Sequence, residues 1–268
     1  IKKIDDDVYK IFFSGRDSNN VSHIGYCLLK VEENELKVLK YSKEPVFSSG
    51  ERGCFDDNGV TPSCVVEDKM YYIGWNSGTT TYRMSLIMGL ATEKDETFTR
   101  VSRAPLLSKT NREPYGILTA PFVLKEGGFY KMWYVSGEGW INKDLPRYNI
   151  KYATSNDGYK WERDGLVSLE LLPDETALAR PYVLKTKKGY EMYFSYKVPE
   201  IGYRIGKAFS RDGKKYQRIE KSCIDISEVG WDSEMVQYSC IFCHNNKKFM
   251  LYNGNGYGKT GIGYAVEK

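Results

Sequence analysis

Histidine is scarce: the 268-residue chain has two, His23 and His244. Zinc sites are assembled from spaced pairs of histidine and cysteine. No second ligand pair accompanies these two, so neither a metal nor a cofactor is expected. Charge of one sign is also lacking, since 39 basic against 35 acidic side chains leave +4. The basic pairs Lys187-Lys188, Lys214-Lys215 and Lys247-Lys248 fall in expected hairpin tips. They read as solvated turns, and no nucleic-acid partner is expected. No run approaches the roughly 18–20 apolar residues that cross a bilayer, so no membrane span is expected. No signal peptide is visible, although the chain opens on Ile1 and not Met, which leaves room for an upstream segment.

Cysteine is present but does not form a framework. The six are Cys27, Cys54, Cys64, Cys223, Cys240 and Cys243. A domain of this size buries an adequate core without staples, so reduced thiols in a cytoplasmic protein are expected. Cys240-Ile-Phe-Cys243-His244 matches the haem-attachment pattern. It lies, however, on an expected strand, Val236 to Cys243, where residues three apart face opposite sides.

What the chain has in quantity is aromatic residues: 22 Tyr, 11 Phe and 5 Trp. They mark a repeat. Val8-Tyr-Lys-Ile-Phe-Phe-Ser14, Met70 to Asn76, Phe129-Tyr-Lys-Met-Trp-Tyr-Val135, Tyr190 to Ser195 and Phe249 to Gly254 read as one strand recurring at roughly 58–62 residues. After each comes a second strand of the type Tyr148-Asn-Ile-Lys-Tyr-Ala153 or Tyr203-Arg-Ile-Gly-Lys-Ala208. Two of these run into Asp-Gly turns, at Asp157-Gly158 and Asp212-Gly213, a strong hairpin signal. A short fourth strand is expected at Lys160-Trp161-Glu162. An upstream strand opens on proline in Pro62 to Val66, Pro121 to Leu124 and Pro181 to Leu184, and Ser239 takes that position in the fifth copy.

Each copy is thus a four-stranded antiparallel meander whose two faces must both be covered. Radial stacking does this. The expected fold is all-β: one five-bladed β-propeller domain spanning 1–268. Blade 1 lacks the start of its inner strand, and blade 5 lacks its fourth strand. Five in-phase repeats argue against an irregular β-sandwich.

A meander sorts its loops between the two ends of such a ring. The Asp-Gly turns fall at one end and have a bracing role; they resemble the Asp-box of sialidases with one residue's departure. The other end collects longer loops rich in Gly, aromatic and polar residues, the usual seat of function. Carboxylates precede the inner strands there: Asp56 and Asp57, Glu113, Asp174 and Glu175, Asp232 and Glu234. Convergent carboxylates suit general acid/base chemistry on a sugar bond, one protonated and one ionised. Glu175 and Glu234 are the main acid/base candidates and Asp57 the residue that tunes their pKa. Trp75, Trp140 and Tyr238 offer faces for sugar rings. Arg16, Asp17, Asp56, Arg180, Asp232, Asn253 and Asn255 complete the candidate binding set, with Arg180 a clamp for hydroxyls or an anionic group.

Asp57-Asn-Gly-Val-Thr-Pro62, Met132-Trp-Tyr-Val-Ser-Gly137 and Ile150 to Gly158, with acids at the inner-strand starts, resemble the furanosidase/fructosidase superfamily of glycoside hydrolase families 32, 43 and 68. Glu175 to Pro181, Gly230 to Met235 and Tyr252 to Gly258 resemble a branch known only as glycosidase-like, some of it among polysaccharide-biosynthesis genes. The resemblance implies a base or nucleophile Asp in blade 1, an Asp in blade 2 and an acid Glu in blade 3. The second carries over to Asp57 or Asp56. The first would precede Ile1, and Glu113 stands eight residues from Pro121, off the pattern. Two functions follow as expectations: glycosyl-bond processing at the central pocket, or non-hydrolytic binding of a carbohydrate or sugar-nucleotide ligand, including glycosyl transfer.

Overall fold

A computed structural model describes residues 1–267, with the backbone alone described at 220–222. The first antiparallel group joins β1 (Lys2–Lys3), β2 (Val8–Arg16), β3 (Ser22–Glu32) and β4 (Glu35–Tyr41). The second holds β5 (Val60–Val66), β6 (Lys69–Ser77), β7 (Met84–Lys94) and β8 (Thr97–Arg100). The third holds β9 (Ile117–Glu126), β10 (Phe129–Asn142), β11 (Leu145–Ser155) and β12 (Val167–Leu169). The fourth holds β13 (Ala177–Thr186), β14 (Gly189–Val198), β15 (Gly202–Ser210) and β16 (Gln217–Ile224), and the last β17 (Gln237–His244), β18 (Lys247–Asn253) and β19 (Ile262–Val266).

The expected meander is what the pairing shows, with one correction. The fourth strand placed at Lys160–Glu162 is a single bridge, Thr154 to Glu162. The chain then turns through Gly165, at φ 83°, before β12 pairs with β11. Left-handed backbone at Gly165 breaks the strand at that point.

The near-continuous apolar runs are explained by burial on both faces. On β6, Met70 and Tyr72 pack against Phe12, Ile24, Phe47 and Phe98 on one side. Tyr71, between them, points the other way into the cluster of Met132, Trp133 and Tyr134. The packing returns to its start: Tyr9, Ile11, Leu29 and Val31 of the first group form one cluster with Phe242, Phe249 and Leu251 of the last. The Tyr9 and Phe242 rings lie 4.5 Å apart. Side-chain packing therefore joins first and last groups, while no strand pairing does among the described residues. No helix of the described residues is long and apolar enough to cross a membrane.

The Asp-Gly turns brace the end they were expected to brace. Ser155 Oγ accepts from the amides of Asp157 and Gly158, and Asp157 Oδ1 from those of Tyr159 and Lys160. Ser210 and Asp212 repeat the arrangement. Each turn is also latched to the preceding group: Gly158 O accepts from Tyr71 Oη at 2.9 Å, and Gly213 O from Trp133 Nε1 at 2.7 Å. Ser155→Ala strands the buried Gly158 amide and the partly buried Asp157 amide and is expected to cost about 1–3 kcal/mol, read as a lower urea midpoint with unchanged slope.

Candidate functional site

The inner strands carry a recurring irregularity. Register slips on β9 opposite Trp133–Val135, on β13 between Ala179 and Tyr182, and on β17 between Gln237 and Cys240. Within these bulges Ala120, Arg180 and Tyr238 have φ of 46°, 51° and 59°. Left-handed backbone at a residue other than glycine costs about 1–3 kcal/mol, and clusters of it mark functional sites. A bulge also re-aims the side chain it carries.

Here it aims Arg180 across the centre. Its Nη1 donates to Pro62 O on β5 at 2.7 Å, and its guanidinium lies 5.5 Å from the Tyr238 ring on β17. One side chain thus touches inner strands of three groups. The Tyr238 amide donates to Ser195 Oγ at 2.8 Å. Around it stands a phenol cluster: Tyr203 lies 5.8 Å from Tyr238 and 6.0 Å from Tyr257, and the hydroxyls of Tyr148 and Tyr203 are 2.6 Å apart. Burial pushes the Tyr148 phenol up to about 12 and raises those of Tyr203 and Tyr238 as well. These hydroxyls are neutral donors and acceptors near pH 7. Burial also lowers the Arg180 pKa, but a guanidinium remains charged. Trp140 packs beside the same cluster, its ring 5.6 Å from Tyr82.

Most of the acids expected to converge on the centre are engaged by partners within the chain. Asp56, Glu113 and Glu175 are each held by an arginine of their own repeat, and Asp56, Glu113 and Asp232 each accept from a tyrosine hydroxyl. Asp56, 1% exposed, accepts from Tyr72 Oη at 3.0 Å and from Arg100 Nε at 2.7 Å. Glu113, also buried, accepts from Tyr134 Oη at 2.7 Å and pairs with Arg163. Glu175, 2% exposed, takes both arms of Arg218 at 2.8 and 2.6 Å and the Leu172 amide at 3.0 Å. Asp232 accepts from Tyr252 Oη at 3.0 Å. The arginines recur in an aromatic-x-Arg pattern, Phe98-Thr-Arg100, Trp161-Glu-Arg163 and Tyr216-Gln-Arg218. That triplet is the signal through which the braces are legible in the sequence.

Of the remaining expected residues, Asp57 has both oxygens occupied, by the Gly53 amide at 2.8 Å and Asn76 Nδ2 at 2.6 Å. Asn255 is a loop clamp: its Oδ1 accepts from the amides of Glu234 and Met235, and its Nδ2 donates to Gly230 O. Asn253 Nδ2 reaches Tyr257 O at 3.4 Å. Asp17 caps its own turn through the amides of Asn19 and Val21. Arg16 donates to Asn20 O and stacks 4.8 Å from Trp75, whose Nε1 donates to Ser22 Oγ. Glu234, like Asp174, is exposed, and among the described residues its carboxylate has no ion-pair partner. Its backbone is held, by Asn255 and by Arg204 Nη1 on Glu234 O at 3.0 Å.

No three His, Cys, Asp or Glu gather as metal ligands among the described residues. A shallow cavity of about 250 Å3 lies beside the Asp157-Gly158 turn, away from Arg180, lined by Phe129, Thr154, Ser155, Asn156 and Glu162. The turn already uses Ser155 for its own amides.

No family model matches the chain. It is 38% identical over 270 residues to the uncharacterized protein Rv1502 of Mycobacterium tuberculosis H37Rv, an alignment covering 98% of this chain and 89% of that protein. Among solved structures, a glycoside hydrolase matches with a TM-score of 0.71 at 17% identity, covering 98% of this chain and 84% of that one. The Bombyx mori family 32 β-fructofuranosidase BmSUC1 matches at 0.66 and 14% identity, covering 97% and 56%. A thermostable family 43 glycoside hydrolase matches at 0.60 and 14% identity, covering 96% and 89%.

Proposed function

This chain belongs to the family of the mycobacterial protein Rv1502 and has the propeller fold of the furanosidase/fructosidase glycoside hydrolases, and from that premise we propose that it binds and processes a glycoside at the mouth around Arg180. Each of the five antiparallel groups is one blade in this reading, and the inner strands surround the axis. The observation that carries it is the meeting of three inner strands at Arg180, with Arg180 and Tyr238 both held in left-handed bulges. Strained backbone at the axis aims these side chains at whatever enters. Tyr238 supplies a ring face for a sugar, and the neutral phenols of Tyr148 and Tyr203 supply hydroxyl partners.

Glu234 is the acid/base residue of this proposal. A proton-transfer group needs a held backbone and a carboxylate that is not already engaged. Asp57 and Glu175 remain alternatives from the sequence, but their oxygens are committed to Gly53, Asn76 and Arg218. That commitment favours a second reading, a propeller that binds a glycan without cleaving its bond.

The test is saturation-transfer NMR against a panel of mono- and disaccharides. Ring protons of at least one sugar are expected to saturate with the wild-type chain and to lose that signal in Tyr238→Leu. Absence of any bound sugar, or equal binding by the folded variant, would overturn the proposal.

A further inference from the structure

We infer that the axial site selects sugars bearing an anionic substituent, a carboxylate or a phosphate, and that Arg180 is its counter-ion. The inference rests on the axial mouth being the sugar site. It comes from a comparison within the molecule. Three arginines packed into its seams each meet a buried carboxylate: Arg100 meets Asp56, Arg163 meets Glu113, and Arg218 meets Glu175, while Arg204, at a more exposed contact, meets backbone carbonyls alone. Arg180, packed at the centre, meets a backbone carbonyl and a ring face, and no carboxylate among the described residues reaches it.

Removing a charge from water is costly unless an opposite charge and hydrogen bonds replace the lost hydration. A carbonyl and a phenol ring recover part of that. One carbonyl bond uses a single N–H of the five a guanidinium offers, so its fork keeps donors for a planar anion. Neutral hydroxyls would satisfy those donors without neutralising the charge. The left-handed backbone adds to the case. A strained bulge places a guanidinium at this point, where Ala120 and Tyr238 occupy the corresponding bulges with uncharged side chains.

The experiment is calorimetric titration of matched sugar pairs against the full chain: each neutral methyl glycoside beside its uronate and its 6-phosphate. The anionic member of at least one pair is expected to bind about 10- to 100-fold tighter, the range of a charge-assisted hydrogen bond. The winning pair identifies carboxylate or phosphate as the group recognised. Arg180→Met should abolish that preference, with the anionic member of the pair falling to the affinity of its neutral partner in the same variant. Arg180→Lys keeps the charge and should retain part of the preference, which guards against a misfolded Met variant, as does the circular dichroism of both. Neutral sugars bound as tightly as their anionic partners would overturn the inference and leave the axial sugar site standing. A preference that survives in folded Arg180→Met would place the anion elsewhere and overturn it too. No binding by any sugar would remove the site itself.

Discussion

Glu175→Gln is expected to destabilise the fold and to leave sugar binding intact. Glu175 is 2% exposed, and Arg218 holds both its oxygens at 2.8 and 2.6 Å. An amide in its place presents an NH2 to guanidinium donors and leaves the Arg218 charge without its partner. Breaking a buried ion pair from one side costs about 3–5 kcal/mol. Arg218 retains 17% exposure, which moves the expectation to the lower end, about 3 kcal/mol. At roughly 2–4 °C per kcal/mol, the melting temperature should fall by several degrees. Replacing both partners, as Glu175→Leu with Arg218→Met, should recover much of the loss, because an apolar pair of similar volume removes both buried charges. An unchanged melting temperature with loss of turnover would return Glu175 to the catalytic role that its place before β13 first suggested.

Glu234→Gln should do the reverse. The carboxylate is exposed and ungripped, so its removal should change stability by no more than about 0.5 kcal/mol. Turnover of a competent aryl glycoside should fall by about 10²–10⁴, the usual contribution of a positioned general acid or base. Asn255 and Arg204 fix the backbone on either side of this residue, so the variant leaves its peptide geometry in place. Full activity in Glu234→Gln would remove Glu234 from the acid/base role, whereas sugar binding with no turnover in the wild type would favour the binding-only reading. Wild-type activity together with a large fall in melting temperature would make Glu234 a structural residue.

The architecture was legible because each strand in a propeller must bury two faces. That demand writes the same apolar aromatic run into the chain at Met70–Tyr72, Met132–Tyr134 and Phe249–Tyr252, and the repeat phases the loops. The Asp-Gly turns were legible for a different reason: Ser155 and Asp157 close hydrogen bonds within three residues, so no tertiary information is needed. The acids were harder. Spacing places Asp56, Glu175 and Asp232 before the inner strands, but it does not say which partners their side chains turn to. The answer lies on strands about 40 residues away, in Arg100 for Asp56 and Arg218 for Glu175. The recurrent triplet of aromatic, any residue and arginine carries that information, and it becomes readable once each arginine is matched to the acid upstream in its own repeat.

The phenol cluster escaped notice because Tyr148 and Tyr203 read as ordinary strand positions. Tyr148 is 9% exposed and Tyr203 is 2% exposed, so burial alone makes them core residues. Their meaning depends on the bulge at Tyr238, which a single sequence marks only by the proline of the equivalent strands. Arg180 was singled out from its place before Pro181. Its lack of an acid was not legible, because that shows only beside Arg100, Arg163 and Arg218, each of which meets one.

The central claim is that sugar binding belongs to the axial arginine and not to the acids of the seams. The most direct measurement is the affinity of one bound anionic glycan for Arg180→Met and Glu175→Gln, titrated side by side at a temperature where both are folded. The account predicts that Arg180→Met loses affinity by about tenfold or more, as expected when a charge-assisted contact is removed. It also predicts that Glu175→Gln binds like the wild type despite its lower melting temperature. Affinity lost in Glu175→Gln and kept in Arg180→Met would contradict it.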